Sequence, residues 1–99
     1  MEEGKTLRIE WSAHKARINK RKHNGVSFEL AKRAFEDEFR ARIYQGDEHG
    51  EERWWTIGMV GRQLLVVVHT EIEDEEEQVI RIISARKATA SERRRYEEG

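Results

Sequence analysis

The sequence predicts a small α+β domain, a mostly antiparallel sheet with helices on one face, in the order β-α-α-β-β-β-β-α. Three observations lead there. The chain has 99 residues, 36% hydrophobic and 39% charged, enough for one thin core and not for two. One sheet with helices on one face uses such a limited apolar supply efficiently. The apolar spacing also changes from helical to alternating after Glu38. Finally, the alternating segments lie close together in sequence, which suits antiparallel hairpins, whereas parallel neighbours need long crossovers. Residues 1–99 are read as one domain without repeat, linker or proline.

Leu7-Arg8-Ile9-Glu10-Trp11 alternates apolar and polar residues, the pattern of a half-buried strand. Ser12 can cap a helix running through Ala13, Ala16 and Ile18 to about His23. Its apolar stripe is weak, so this helix is expected to be basic and mostly exposed. Asn24-Gly25 supplies a stop, because both residues tolerate the left-handed conformation that ends helices. Ser27 can cap a second helix in which Phe28, Ala31, Ala34 and Phe35 recur at helical spacing. After it, Phe39, Ala41 and Ile43 alternate with Arg40, Arg42 and Tyr44. The Gly- and acid-rich loop 45–51 leads to strands over 53–60 and 64–71, joined near Gly61-Arg62. A last strand over 79–85 follows the acidic turn 73–78. Thr89-Ala90-Ser91-Glu92 then has the capping-box spacing that opens a helix.

Strand parity sorts side chains between faces. Ile80 and Ile82 point one way, and Val79, Arg81 and Ile83 the other. Leu64, Val66, Val68 and Thr70 oppose Leu65, Val67, His69 and Glu71. Assigning the all-apolar sets to the helices leaves Arg81 and His69 together on the open face, with Arg40 and Arg42 nearby. One bulge reverses such an assignment.

The net charge of −1 conceals an uneven distribution. Between Trp11 and Phe28 stand five Lys/Arg and two histidines with no acid; Glu71 to Glu77 holds six acids and no base. From Arg81 to Arg95 there are six Lys/Arg against Glu92. Local fields of this kind, rather than the net value, steer a polyanion such as RNA. There is no cysteine, so disulfides and thiolate chemistry are excluded, in keeping with a cytoplasmic protein. No apolar run approaches the ~18 residues that cross a bilayer, and Met1 to Lys5 lacks the apolar core of a secretory signal. The expectation is a soluble, non-exported chain with no membrane partner.

No phosphate-binding glycine loop, HExxH pair or Ser-His-Asp order occurs, and His14, His23, His49 and His69 lack zinc-site spacing. No metal or cofactor is therefore expected. What remains is His23, His69, Glu52, Arg53, Arg81, Arg86 and Lys87. Imidazole or carboxylate can move protons near neutral pH, and guanidinium or ammonium can stabilise a phosphorane. This set suffices for metal-free RNA cleavage, and equally for RNA binding without catalysis. Trp54 and Trp55 face opposite sides of one strand, so one is core and the other is free to stack on a base or an interface.

The same segments carry a resemblance. Ile9-Glu10-Trp11, Asn19, Lys22-His23, Gly25-Val26-Ser27-Phe28-Glu29 and Ala31 resemble the N-terminal signature of BrnT-type toxins. So do Gly50-Glu51-Glu52-Arg53, Thr56-Ile57-Gly58 and Leu65 to Thr70. Most specific is Ile80 to Ala88, followed by Glu92-Arg93 and Tyr96. The resemblance implies a RelE-like fold and a ribonuclease toxin of a type II toxin–antitoxin pair that stops translation and growth. Its partner would be a BrnA-like ribbon-helix-helix antitoxin, which contacts DNA and links the toxin to it only indirectly. It carries over His23, Glu52, His69 and Arg81 as catalytic, with Lys22, Arg53, Arg86 and Lys87 binding RNA. His23 or His69 would be the acid/base and Glu52 an alternative base. The chain departs from the family pattern at Ser12, where Asp is usual, at an additional Asn24, and at Ile72, where a basic residue is common. The alternative is a non-catalytic RNA-binding protein or an antitoxin-binding co-repressor subunit.

Overall fold

The structure is a computed structural model that describes residues 4–22 and 26–99. Its elements are β1 (Thr6–Trp11), α1 (Ala13–Lys22), α2 (Phe28–Lys32) continued by a 3-10 turn (Arg33–Glu36), β2 (Ala41–Glu48), β3 (Glu51–Val60), β4 (Gln63–Glu73), β5 (Glu77–Lys87) and α3 (Ala90–Glu98). The five strands form one mixed sheet in the order β1-β5-β4-β3-β2. β1 is parallel to β5, and the other three pairings are antiparallel. No helix among the described residues is long and apolar enough to cross a membrane.

Local chemistry accounts for the element ends. Ser12 Oγ accepts from Lys15 N at the start of α1, and Ser27 Oγ accepts from Leu30 N at the start of α2. Thr89 and Glu92 close a reciprocal capping box on α3. His49 and Gly50 both have positive φ, as a two-residue hairpin turn requires, which lets β2 and β3 pair tightly. Asp74 Oδ1 accepts from the backbone N–H groups of Glu76 and Glu77, so the acidic turn is shorter and β4 and β5 longer than the sequence suggests. Phe39, expected to open a strand, lies in the preceding turn and is 73% exposed; Asp37 Oδ1 accepts from its N–H.

The main core lies between α1, α2 and one face of the sheet. Phe28, Ala31 and Ala34 pack against Leu65, Val67, Ile82 and Ala85, with Trp11 edge-on to Phe28 at 6.1 Å. Contact is close enough at Gly58 that a Cβ there would stand 2.5 Å from Ala34 O. Asn19, buried in α1, donates to the carbonyls of Val26 and Ala85 and accepts from Ala85 N, fastening the helix to β5.

The expectation of helices on one face requires correction. Tyr96 of α3 packs on Ile57, Leu64 and Val66, which point away from α1 and α2. Leu64 to Val68 is a continuous apolar run on a central strand, so both of its sides need cover. α3 supplies that cover at one end of the second face and leaves the other end open.

Candidate functional site

The register defines what stands on the open face. Arg53 pairs with Thr70, Thr70 with Arg81, and Arg81 with Glu10, so these four side chains form one row across β3, β4, β5 and β1. With strands about 4.8 Å apart, the backbones carrying Arg53 and Arg81 are separated by roughly 10 Å. The next row holds Trp55, Val68 and Ser84, and the one after it Ile57, Val66 and Arg86.

Arg81 and Arg86 share this face because of an irregularity. Five positions apart, they would point to opposite sides of a regular strand. The β4–β5 register shifts between Val68 and His69, whose partners are Ser84 and Ile82, so Ile83 is bulged out. The bulge lets Ile82 and Ala85 both enter the core while Arg81, Ser84 and Arg86 face outwards.

Each guanidinium on the face has a carboxylate. Arg81 Nε and Nη2 donate to Glu10 Oε2 at 3.0 and 2.8 Å. Arg53 pairs with Glu48 at 2.8 Å. Arg86 makes a two-pronged bond to Glu92, 2.7 Å on each arm, and lies 5.6 Å from the centre of the Trp55 ring. Hydrogen bonding to Arg86 holds the Glu92 carboxyl down to about 2, and bonding to Glu10 raises Arg81 further. These cations are held charged and in fixed directions.

His69 is elsewhere, which corrects the parity assignment. It faces α2, fully buried, edge-on to Phe35 at 4.9 Å, with Nε2 2.7 Å from Thr56 Oγ1. Its Nδ1 has no well-formed hydrogen bond and lies 3.7 Å from Glu71 Oε2. Burial pushes the imidazole down to about 4, outweighing the opposing pull of the backbone at Thr70. Glu52 and Arg42 are also on this side. Arg42 donates to both oxygens of Glu71 and lies 4.0 Å over the Trp54 ring, filling part of a groove of about 420 Å³ that Glu52 borders.

Of the residues singled out in the sequence, then, Arg53, Arg81 and Arg86 share the open face, and Glu52 and His69 lie behind them through the sheet. Lys87 is exposed at the end of β5, beside Leu65. Lys22 ends α1 and lines a cavity with Lys15 and Ser84, near the bulge. His23 lies outside the described residues, as does Asn24. Sequence reasoning missed Glu10 and Thr70. Their positions follow from strand pairing across the whole chain; locally both stood in segments that carry the family resemblance, with no role assigned to them. Among the described residues no three His, Asp or Glu side chains converge as metal ligands do.

The arrangement can hold a polyanion: fixed cations, a half-buried hydroxyl at Ser84 and a half-buried indole at Trp55. A family model described as "Ribonuclease toxin, BrnT, of type II toxin-antitoxin system" matches residues 11–92 of the chain. No curated protein matches it.

Proposed function

The chain belongs to the BrnT family of type II toxin–antitoxin ribonuclease toxins, and on that premise we propose that it cleaves RNA without a metal ion on the open face of its sheet. The observation that carries this reading is the row Arg53–Thr70–Arg81 with Arg86 turned to the same face by the bulge. Guanidinium groups match phosphate oxygens in geometry and keep their charge at any physiological pH. At the scissile phosphodiester such a group stabilises the charge that develops as the phosphorus becomes five-coordinate. Arg81 is the central ligand, Arg53 and Arg86 engage flanking phosphates, and Lys22 and Lys87 add positive charge from the helix side of the sheet, at the ends of α1 and β5.

His69 and Glu52 serve the opposite side of the sheet. The Thr56 and Phe35 contacts of His69 make it a packing and positioning group for β3 and β4. A RelE-like fold relationship, arrest of translation and growth, a cytoplasmic site of action and a BrnA-like ribbon-helix-helix antitoxin all belong to the same reading. The antitoxin would cover the arginine face with its own acidic groups and be the sole link to DNA.

The test is cleavage of single-stranded RNA in EDTA by wild type and Arg81→Ala together. Cleavage by wild type and a loss of about 100-fold or more in the variant, with native circular dichroism, is expected. Wild-type RNA binding without cleavage would establish instead the non-catalytic RNA-binding or co-repressor alternative. Expression without the antitoxin should arrest growth, and a harmless chain would point the same way.

A further inference from the structure

The Glu10–Arg81 pair has a setting that the other two ion pairs lack. β1 runs beside β5 only as far as Trp11 opposite Ile82, and α1 begins at Ala13. Beyond that point the outer edge of β5 at Ile83 has no strand against it, and a cavity of about 390 Å³ opens there. Glu10, Ser12, Lys15, Arg81 and Ile83 line it. A carboxylate, a guanidinium, an ammonium and a hydroxyl thus share one solvent-accessible hollow at the end of the arginine row. Glu48 and Glu92, the partners of Arg53 and Arg86, are not part of it.

We propose that this cavity is the reaction centre and that Glu10 is its general base. This rests on the ribonuclease reading given above. Arg81 donates twice to Oε2 of Glu10, while Oε1 accepts from Arg8 Nη1 at 2.9 Å. When Arg81 turns its donors to a bound phosphate, Oε2 is released within reach of the neighbouring ribose. Glu10 takes the 2′-hydroxyl proton, the 2′-oxygen forms a bond to phosphorus, and the bond from phosphorus to the 5′-oxygen breaks. The departing 5′-oxygen takes a proton from the water that fills the open cavity, and Glu10 returns its own proton to water. The products are a 2′,3′-cyclic phosphate and a 5′-hydroxyl. Arg81 and Lys15 carry the added negative charge in between. Of the other carboxylate and imidazole groups in the sequence reading that lie among the described residues, His69 is sealed in the core and Glu52 stands on the far side of the sheet.

Glu10→Gln tests this, because the amide keeps an oxygen acceptor for Arg81 but cannot take the proton. Steady-state cleavage of a single-stranded oligoribonucleotide is measured at pH 7. The expected result is a kcat lower by about 100-fold or more with an unchanged or lower KM. The charges facing Glu10, namely Arg8 on β1, Arg81 on β5 and Lys15 on α1, are the same in both proteins. A wild-type kcat, or a raised KM with kcat unchanged, overturns the assignment and leaves Glu10 a positioning partner of Arg81. Glu10→Asp, which keeps the carboxylate, should retain more of the kcat than Glu10→Gln does, so a misfolded Gln variant does not decide the matter. If wild type itself does not cleave, it is the ribonuclease reading that fails.

Discussion

His69 and Arg81 belong to adjacent strands and face opposite sides of the sheet, His69 pairing with Ile82 and Arg81 with Thr70. The imidazole is enclosed by α2 and the 3-10 turn, and the guanidinium stands in solvent. The two residues therefore answer to different measurements, one of stability and one of catalysis.

For His69 the measurement is stability against pH. An unfolded chain protonates its histidine at about 6.5, whereas burial delays protonation of the native state to about 4. Between those values the unfolded state binds more protons, so stability falls as pH falls from 6.5 towards 4 and is level above 6.5. The gap corresponds to about 3 kcal/mol. Urea unfolding at pH 7, 5.5 and 4.5 should show this loss in wild type and little of it in His69→Gln. Parallel pH profiles for the two proteins would remove His69 as the cause.

Asn19 should be the most sensitive polar position in the fold. Its truncation to Ala strands the N–H and C=O of Ala85 and the C=O of Val26 in a buried site. We expect a loss of about 2–4 kcal/mol, a central value for leaving such groups unsatisfied together, seen as a lower denaturant midpoint. A change under about 0.5 kcal/mol, the size of an ordinary surface effect, would show that water replaces the amide at no cost.

Glu92 joins α3 to β5 through Arg86 and also closes the capping box. Its carboxyl, held down to about 2 from 4.5, contributes stability above pH 4.5 that is lost as pH falls towards 2. After allowance for partial exposure, Glu92→Gln should cost about 1–2 kcal/mol at pH 7. Thermal unfolding at pH 7 and pH 2 should show the difference between variant and wild type shrinking at the lower pH. An equal difference at both would assign the effect to the cap rather than to the ion pair.

The two tryptophans should separate by face. Trp55 shares the open face with the arginines, and Trp54 lies beneath Arg42 on the other side. A base stacked on an aromatic ring contributes about 1–3 kcal/mol. Trp55→Ala should therefore weaken binding of a non-cleavable 2′-deoxy-substituted oligonucleotide by roughly 5- to 150-fold. Fluorescence anisotropy reads this directly, with Trp54→Ala expected to bind as wild type does. The reverse pattern would move the nucleic-acid surface to the Arg42 side.

Much of this was legible in the residues themselves. The caps at Ser12, Ser27 and Thr89, the helical spacing of Phe28, Ala31 and Ala34, and the alternation through the strands depend on neighbours a few positions away. So does the run of family residues ending at Tyr96. The grouping of site residues depended on more. Alternation says which side chains oppose one another along a strand, but not which set meets the helices. On β4 both sets are apolar around Leu64 to Val68, so hydropathy could not choose between them.

What the sequence by itself determined was the set of elements, their caps and the inventory of charged groups available for RNA chemistry. Only the tertiary structure decided which of those groups meet. The parallel pairing of the first and last strands placed Glu10 beside Arg81, the bulge at Ile83 turned Arg86 to the same side, and α3 closed the far end of that face. Each of these depends on contacts between residues distant in the chain, where pairing energy and packing choose the register and no local propensity records the choice.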